Sequence, residues 1–576
     1  MGIKKQAYSR LALNICILIL INVLASMLFF RLDITADKRH SLSDTSKDIL
    51  KDLDDIVYVK VYLEGEFPAG FTRLQNATYQ LLNEFRNYSS FLEYEFINPS
   101  ESINQEERNR LYRQLYEQGL EPTNLQVQEK NGSSEQIIFP GAIIYYKGES
   151  EAINLLQSQI GKHHEVVLNN SIENLEYEFI SNILKISNIN NKPKIAFLEG
   201  NGELNNLERS GIEDAVGNLK GSLIEFYRVE SFNIKEFEKD SLNKNPSIES
   251  QQNRLNKYDA LIIAKPTIAF NDLEKLLIDQ YIMQGGKTLW FVDGVNMDMD
   301  SLQGGRPYSI ALPKDLNIKD MLFKYGARIN SNLVMDVQAD KIPVITDFQG
   351  NIPQQSLFPW FYNPLIISKE MHPISKNLDA IKSSFVSTID TIKSSGVKKS
   401  IVLTSSPYSK VVLSPHRVSL AILEHEPQEE QYQSGPQNIG VLLEGSFKSC
   451  FENRLISYNN SILTKSKPTS ILIVSDGDII KNHVSKSGNP YPLGYNPFSK
   501  EHFHGNINFI INALHYMLGK KELIEIRANN FKIRLLNREK ISNKRLQLQI
   551  INIGLPIVLV LLISLIWNLR RKRKYK

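Results

Sequence analysis

Two uncharged apolar segments, one near each end of the chain, constrain this sequence more than any other feature. The first, "LALNICILILINVLASMLFF", covers residues 11–30, and the second, "IINIGLPIVLVLLISLIWNL", covers 550–569. At about 1.5 Å of rise per residue, a helix of this length crosses the hydrocarbon core of a bilayer. The first segment also follows a positive stretch, as a signal peptide would, but its apolar run is long for one and no A-x-A site closes it. In the second, Trp567 stands where an interfacial aromatic belongs. Gly554 and Pro556 would count against a soluble helix but are tolerated in a membrane. The expectation is an anchor in residues 1–30 (span 11–30), a juxtamembrane segment at 521–549, a transmembrane helix at 550–569 and a basic tail at 570–576.

Orientation follows the excess of Lys and Arg in the flanking segments. Lys4, Lys5 and Arg10 precede the first span, and three basic residues follow it, so that span decides nothing. Arg570, Arg571, Lys572, Arg573 and Lys574 lead the tail of the second span, which carries six basic residues against four in the segment before it. These residues put both termini in the cytoplasm and the large middle region in the periplasm, the protein lying in the inner membrane with two spans. The formal charge of +4 sits on the ends: without the nine basic residues of the two tails, 58 Lys and Arg face 63 Asp and Glu. A basic face for nucleic acid is therefore not expected. Cys16 lies in the first span and Cys450 is alone in the bulk, which excludes an intrachain disulfide framework and a cysteine zinc site.

The middle is long enough for more than one core, and its 42% hydrophobic content and mean hydropathy of −0.26 are those of a globular protein. "SLSDTSKDILKDLDD" (41–55) reads as an amphipathic helix capped by Ser43. A strand at 56–63, a helix at about 71–90, a strand at 92–97, a polar helix at 105–118 and two further strands follow. This order suits a thioredoxin-like α/β domain over 31–188, and the absence of C-x-x-C removes its redox chemistry. From 194 the pattern changes to short runs apolar on both faces: "KIAFLEG" (194–200), "DALIIAKP" (259–266), "KTLWFVDG" (287–294) and "SILIVSDGD" (470–478). Helical stretches near 206–220 and 272–284 separate them, which predicts a parallel sheet covered on both faces. The fold class is thus α/β: a doubly wound parallel-sheet domain over 189–520, flavodoxin- or amidotransferase-like, with an insertion or subdomain at about 301–469.

Several motifs suggest chemistry and then fail a requirement. Gly286-Lys287-Thr288 resembles a phosphate loop, but the required upstream glycine is Tyr281, and Lys287 opens a strand where the motif needs a helix. Asn296, Asp298 and Asp300 have calcium-loop spacing, but Ser301 and Pro307 replace the needed glycine and glutamate. Cys450 lacks the small neighbours of a nucleophile elbow, and no G-x-S-x-G occurs. His163-His164 and His502/His504 form no metal motif. What remains is a set of acids at strand ends: Glu199, Glu203, Asp293, Asp476 and Asp478. In a doubly wound sheet these reach the ligand-binding end. Without a nucleophile or a general-base partner they are read as turn-forming and partner- or ligand-facing groups. No catalytic residue, cofactor or metal is assigned.

The segments "RLDITADKRHSLSDTSKDIL", "FPAGFTRLQNATYQLLNEFRNYSSFLEYEFINP", "IIFPGAIIYYKG", "HPISKNLD", "VLLEGSFKSCFENR", "IVSDGDII" and "PLGYNPFS…NFIINALHYML" occur in this order along nearly the whole chain. Together they resemble the GldG family, a gliding-motility-associated component of an ABC transporter in Bacteroidetes. The resemblance implies a non-enzymatic envelope subunit that works with a membrane permease subunit and a separate ATPase. It also implies an α/β domain similar to one in an intraflagellar transport protein, and it brings no catalytic residues. A homodimer is left open as a further partnership. The alternatives are a structural scaffold of the envelope motility machinery without a small ligand, and an envelope hydrolase that uses the strand-end carboxylates.

Overall fold

The computed structural model describes residues 13, 14, 17, 42–101, 104–129, 132–156, 164–187, 192–204, 216–237, 248–302, 306, 308–350, 352–367, 372–376, 378–452, 462–484, 490–520, 524 and 538–574. The N-terminal apolar segment, with Lys4, Lys5 and Arg10, lies almost wholly outside the described residues. The chain divides into two compact units, Met1–Asn530 and Phe531–Lys576.

The first unit begins with helix α1 (Asp44–Lys51), where Ser43 Oγ accepts from Ser46 N at 3.1 Å. Then come β1 (Val57–Val61), α2 (Ala69–Tyr88), β2 (Leu92–Phe96), α3 (Gln105–Glu117), a separate hairpin of β3 (Thr123–Glu129) and β4 (Gly132–Ile138), β5 (Gly141–Tyr146), β6 (Glu149–Asn154) and α4 (His164–Ser187). The four-stranded sheet has the order β2-β1-β5-β6. β1 and β2 run parallel, while β5 is antiparallel to both β1 and β6. Val57, Val59 and Val61 point from alternate positions of β1 into a core that they share with Leu74, Leu82 and Phe85 of α2 and Phe179, Ile180 and Ile183 of α4. The Phe85 and Phe179 rings meet edge to face at 6.4 Å.

The larger sheet is built on β7 (Lys194–Glu199), β8 (Arg228–Asn233), β9 (Ala260–Ala264) and β10 (Lys287–Phe291), with α5 (Gly217–Ile224), α6 (Ile248–Leu255) and α7 (Asp272–Met283) among them. Its seven strands have the order Val397–Thr404, Asn438–Gly445, Thr469–Val474, β10, β9, β7, β8. The last five are mutually parallel, while Asn438–Gly445 runs antiparallel to both of its neighbours, Thr469–Val474 and Val397–Thr404. The expected parallel sheet is therefore mixed. The expected insertion at 301–469 is not wholly separate either, because two of its strands return to the sheet.

Side-chain alternation gives the sheet its two layers. Phe197, Ile262, Leu289, Phe291, Leu472 and Val474 face one core with α5 and α9 (Gly505–Met517), while Leu198, Ile263, Trp290, Ile471 and Ile473 face the other. The second core also takes α7 and α8 (Lys319–Tyr325). Each fully buried Leu, Ile or Phe contributes roughly 1.5–3 kcal/mol relative to exposure. Both faces must be apolar, which is why these strands read as continuous hydrophobic runs.

The second unit holds α10 (Arg538–Lys574), 37 residues long, which passes through Pro556. Its stretch Ile551–Arg573 is long and apolar enough to cross a membrane, by length and composition. Arg570, Arg571, Lys572, Arg573 and Lys574 belong to this helix, so the expected separate basic tail is its last turns.

Candidate functional site

The carboxyl ends of β9, β10 and Thr469–Val474 bring together five charged side chains from distant parts of the sequence. Strand pairing continues just past the strands: Lys265 N donates to Phe291 O at 2.8 Å and Val292 N to Val474 O at 2.9 Å. Lys265 then takes a left-handed conformation, φ 51°, which turns its side chain along the strand ends. Its Nζ lies 2.5 Å from Asp478 Oδ2 and 3.6 Å from Asp293 Oδ2. Lys314 Nζ reaches Asp293 Oδ2 at 3.1 Å. Gly477 N donates to Asp293 Oδ1 at 2.7 Å. A Cβ at Gly477 would stand 2.4 Å from Lys265 Cγ, so glycine is what lets the two strand ends close on each other.

Asp476 is fully buried. Its Oδ1 accepts from Asp478 N at 2.7 Å and its Oδ2 from Ser384 N at 2.8 Å. The first of these bonds shapes the turn that opens a short 3₁₀ helix at Asp478–Ile480. The Asp476 carboxylate thus makes the turn bond, whereas Asp478 gives its backbone N–H to it and its own carboxylate to Lys265. The partner-facing reading does not hold for Asp476 or Asp293, at 0% and 8% exposure.

Three carboxylates and two ammoniums in one buried cluster cannot all keep their ordinary proton affinities. Burial raises Asp476 well above the carboxylate range, and the nearby Asp478 and Asp293 charges add to this, against Lys265 and the Ser384 N–H. Burial also disfavours ionised Asp293, but Lys265, Lys314 and the Gly477 N–H outweigh it and hold that carboxyl below its usual value. Burial works against the Lys265 charge too, and Asp478, Asp293 and Asp476 overcome it, raising the ammonium's pKa. Burial and the two neighbouring carboxylates thus bias Asp476 toward its protonated form, while Lys265 and Lys314 favour the ionised form of Asp293.

Asp293, Asp476 and Asp478 each offer an oxygen within 4.8 Å of the others, a spacing that could hold a cation. The Lys265 ammonium is already seated among those oxygens. The network also ties the inserted region to the sheet. Ser384 bonds Asp476, Ser387 N donates to Ser475 O at 3.2 Å, and Ser475 Oγ donates to Ser387 O at 2.5 Å. Beside it, Lys382 Nζ lies 2.7 Å from His483 Nε2 and 3.4 Å from Asp340 Oδ2. The inserted region therefore covers the strand ends where an open α/β sheet would bind a ligand.

Glu199 and Glu203 do not join this cluster. They flank the turn after β7, at the point where the strand order reverses between β7 and β9. Glu199 is half-buried at its strand end. Glu203 is 6% exposed, with Oε2 accepting from Asn201 N at 2.6 Å. Asn201 Nδ2 in turn donates to Glu274 Oε2 at 3.0 Å, and Glu274 completes a capping box with Asn271 at the start of α7.

Of the other motifs, Lys287 opens β10 as a strand residue. Asp298 Oδ1 accepts from Ser301 N at 2.8 Å in a polar loop. Burial and the neighbouring Asp279 push the Cys450 thiol far up, away from thiolate reactivity. Lys265, Lys314 and Ser384 were not recognised from sequence. Only Lys265 had a local signal, a lysine at the end of an otherwise apolar strand.

The chain belongs to the family described as "ABC-type uncharacterized transport system", which matches residues 192–513, the larger sheet and its inserted region. The family name ties it to ABC-type transport as an accessory component. A second match, described as a domain of unknown function (DUF7088), covers residues 36–145. An uncharacterized protein of Borreliella burgdorferi is 23% identical over 579 residues, 99% of each chain. Among solved structures, the mmIFT52 N-terminal domain aligns over 56% of this chain and 97% of its own, at 12% identity and a TM-score of 0.30. That likeness is too slight to carry an argument.

Proposed function

We propose that this chain is a non-enzymatic, membrane-anchored accessory subunit of an ABC-type transport complex, with a permease subunit and a separate ATPase as its partners. The observation that carries the reading is the family match over 192–513, joined to a helix at Ile551–Arg573 that is long and apolar enough for a membrane. The strand-end acids support the non-catalytic part. Asp293 and Asp476 have both oxygens engaged by Lys265, Lys314 and backbone N–H groups, Asp478 pairs with Lys265, and the Ser384 bond to Asp476 holds the inserted region in place.

In finer detail, we read the N-terminal sheet as thioredoxin-like and the larger one as flavodoxin- or amidotransferase-like. Two spans would hold both termini in the cytoplasm, with the domains between them in the periplasm binding a ligand or partner. The GldG resemblance extends this to gliding motility. Affinity capture of the tagged full chain from native membranes tests the assignment. It should bring down a permease and an ATPase, and a chain recovered alone from intact membranes would overturn it. Protease added to spheroplasts should digest the middle region, and its protection would reverse the orientation.

A further inference from the structure

The turn after β7 holds two buried polar atoms that no partner satisfies among the described residues. Asn201 is fully buried and Glu203 is 6% exposed. Asn201 Oδ1 and Glu203 Oε1 both lack a hydrogen-bond partner among the described residues. Their neighbours in the turn are engaged. Asn201 O accepts from Thr267 N and Ile268 N at 2.9 and 2.8 Å, Gly202 O accepts from Thr267 Oγ1 at 3.1 Å, and Asn201 Nδ2 donates to Glu274. The last bond fixes the amide orientation, so Asn201 Oδ1 is an acceptor and cannot be exchanged for a donor. Two buried acceptors in one tight turn, with no donor between them, would each cost about 1–3 kcal/mol.

We propose that a proton closes this turn: protonated Glu203 donates from Oε1 to Asn201 Oδ1, and loss of that proton to water releases the turn from the β7–β9 crevice. One proton removes both orphans at once. The carboxyl is already held at the Asn201 backbone through Oε2, two residues along the same tight turn from the orphaned amide oxygen. Burial supports the protonated form by pushing Glu203 up to about 7, with the two backbone N–H bonds and Lys235 opposing and Glu274 adding to the rise. Among the described residues the charged groups that act on it are Lys235 from the segment after β8, its Nζ 3.8 Å from Glu274 Oε1, and Glu274 from the first turn of α7.

A carboxyl whose folded pKa lies above its unfolded value stabilises the fold below the unfolded pKa, and that contribution is lost as pH rises through about 7. The turn is thus a proton-sensitive latch at the sheet's crevice. It does not depend on the transport reading.

The test is amide hydrogen exchange on the full chain in detergent, corrected for intrinsic base catalysis, from about pH 6 to about pH 8. Protection of the Thr267 and Ile268 amides, which bond to Asn201 O, should fall in the wild type by up to about tenfold per pH unit above neutrality. Glu203→Gln keeps a donor on that side chain and does not titrate, so its protection should be flat and at least equal to the wild type at about pH 8. A pH-independent wild type would overturn the proposal. So would a folded Glu203→Gln chain that keeps the wild-type slope. Should the variant fail to fold, infrared spectra of wild-type chain with isotope-labelled glutamate decide the matter: a protonated carboxyl band should disappear across neutrality, and its absence below neutrality would overturn the latch.

Discussion

At the residue scale, the buried cluster at the strand ends makes opposite demands on neighbouring carboxyls, and substitutions should separate them. Both Asp476 oxygens accept backbone N–H bonds, so Asp476→Asn keeps one acceptor, sets an NH2 against the other N–H and should cost about 1–3 kcal/mol. Lys265→Met removes the ammonium between Asp293 and Asp478 and should cost about 3–5 kcal/mol, because Asp478 loses its ion pair and buried Asp293 keeps Lys314 alone. Chemical denaturation of the two variants checks both values. The pH dependence follows the same division. The raised pKa of Asp476 gives stability that is complete in acid and lost as pH climbs through its folded pKa. The depressed pKa of Asp293 gives stability present above the ordinary carboxylate range and lost as pH falls through its folded pKa. Asp476→Asn should therefore flatten the alkaline side of the stability profile and leave the acid side unchanged.

At the element scale, helix α7 depends on a capping box whose glutamate also holds the β7 turn. Asn271 Oδ1 accepts from Glu274 N, and Glu274 Oε2 accepts from both Asn271 N and Asn201 Nδ2. Asn271→Ala should cost about 1 kcal/mol from the lost cap, and exchange at Thr267 and Ile268 should quicken with it. The strands at 194–199, 260–264, 287–291 and 469–474 were legible because both of their faces are buried, so alternation gives way to a continuous apolar run. The edge strands were not. Val397–Thr404 carries Lys398 and Lys399, and β8 reads "RVESFN", since an edge strand needs only a partial apolar face and gains from charge. Their membership in the sheet is set by pairing with distant residues, and no local pattern records that. The same holds within the site. The acids at strand ends could be found from the apolar runs before them, whereas Lys314 comes from the inserted region and Ser384 acts through its backbone N–H.

At the scale of the whole molecule, the chain joins a two-layered α/β unit, whose strand ends are covered by its own inserted region, to a helix with the length and apolarity of a membrane span. We propose that such a chain serves transport as an accessory subunit and performs no chemistry of its own. ATP hydrolysis by the complex purified from native membranes and placed in nanodiscs, with and without this chain, tests it most directly. The chain alone should show no hydrolysis, and the rate of the complex should change when the chain is removed. Hydrolysis by the isolated chain, or an identical rate without it, would contradict the claim.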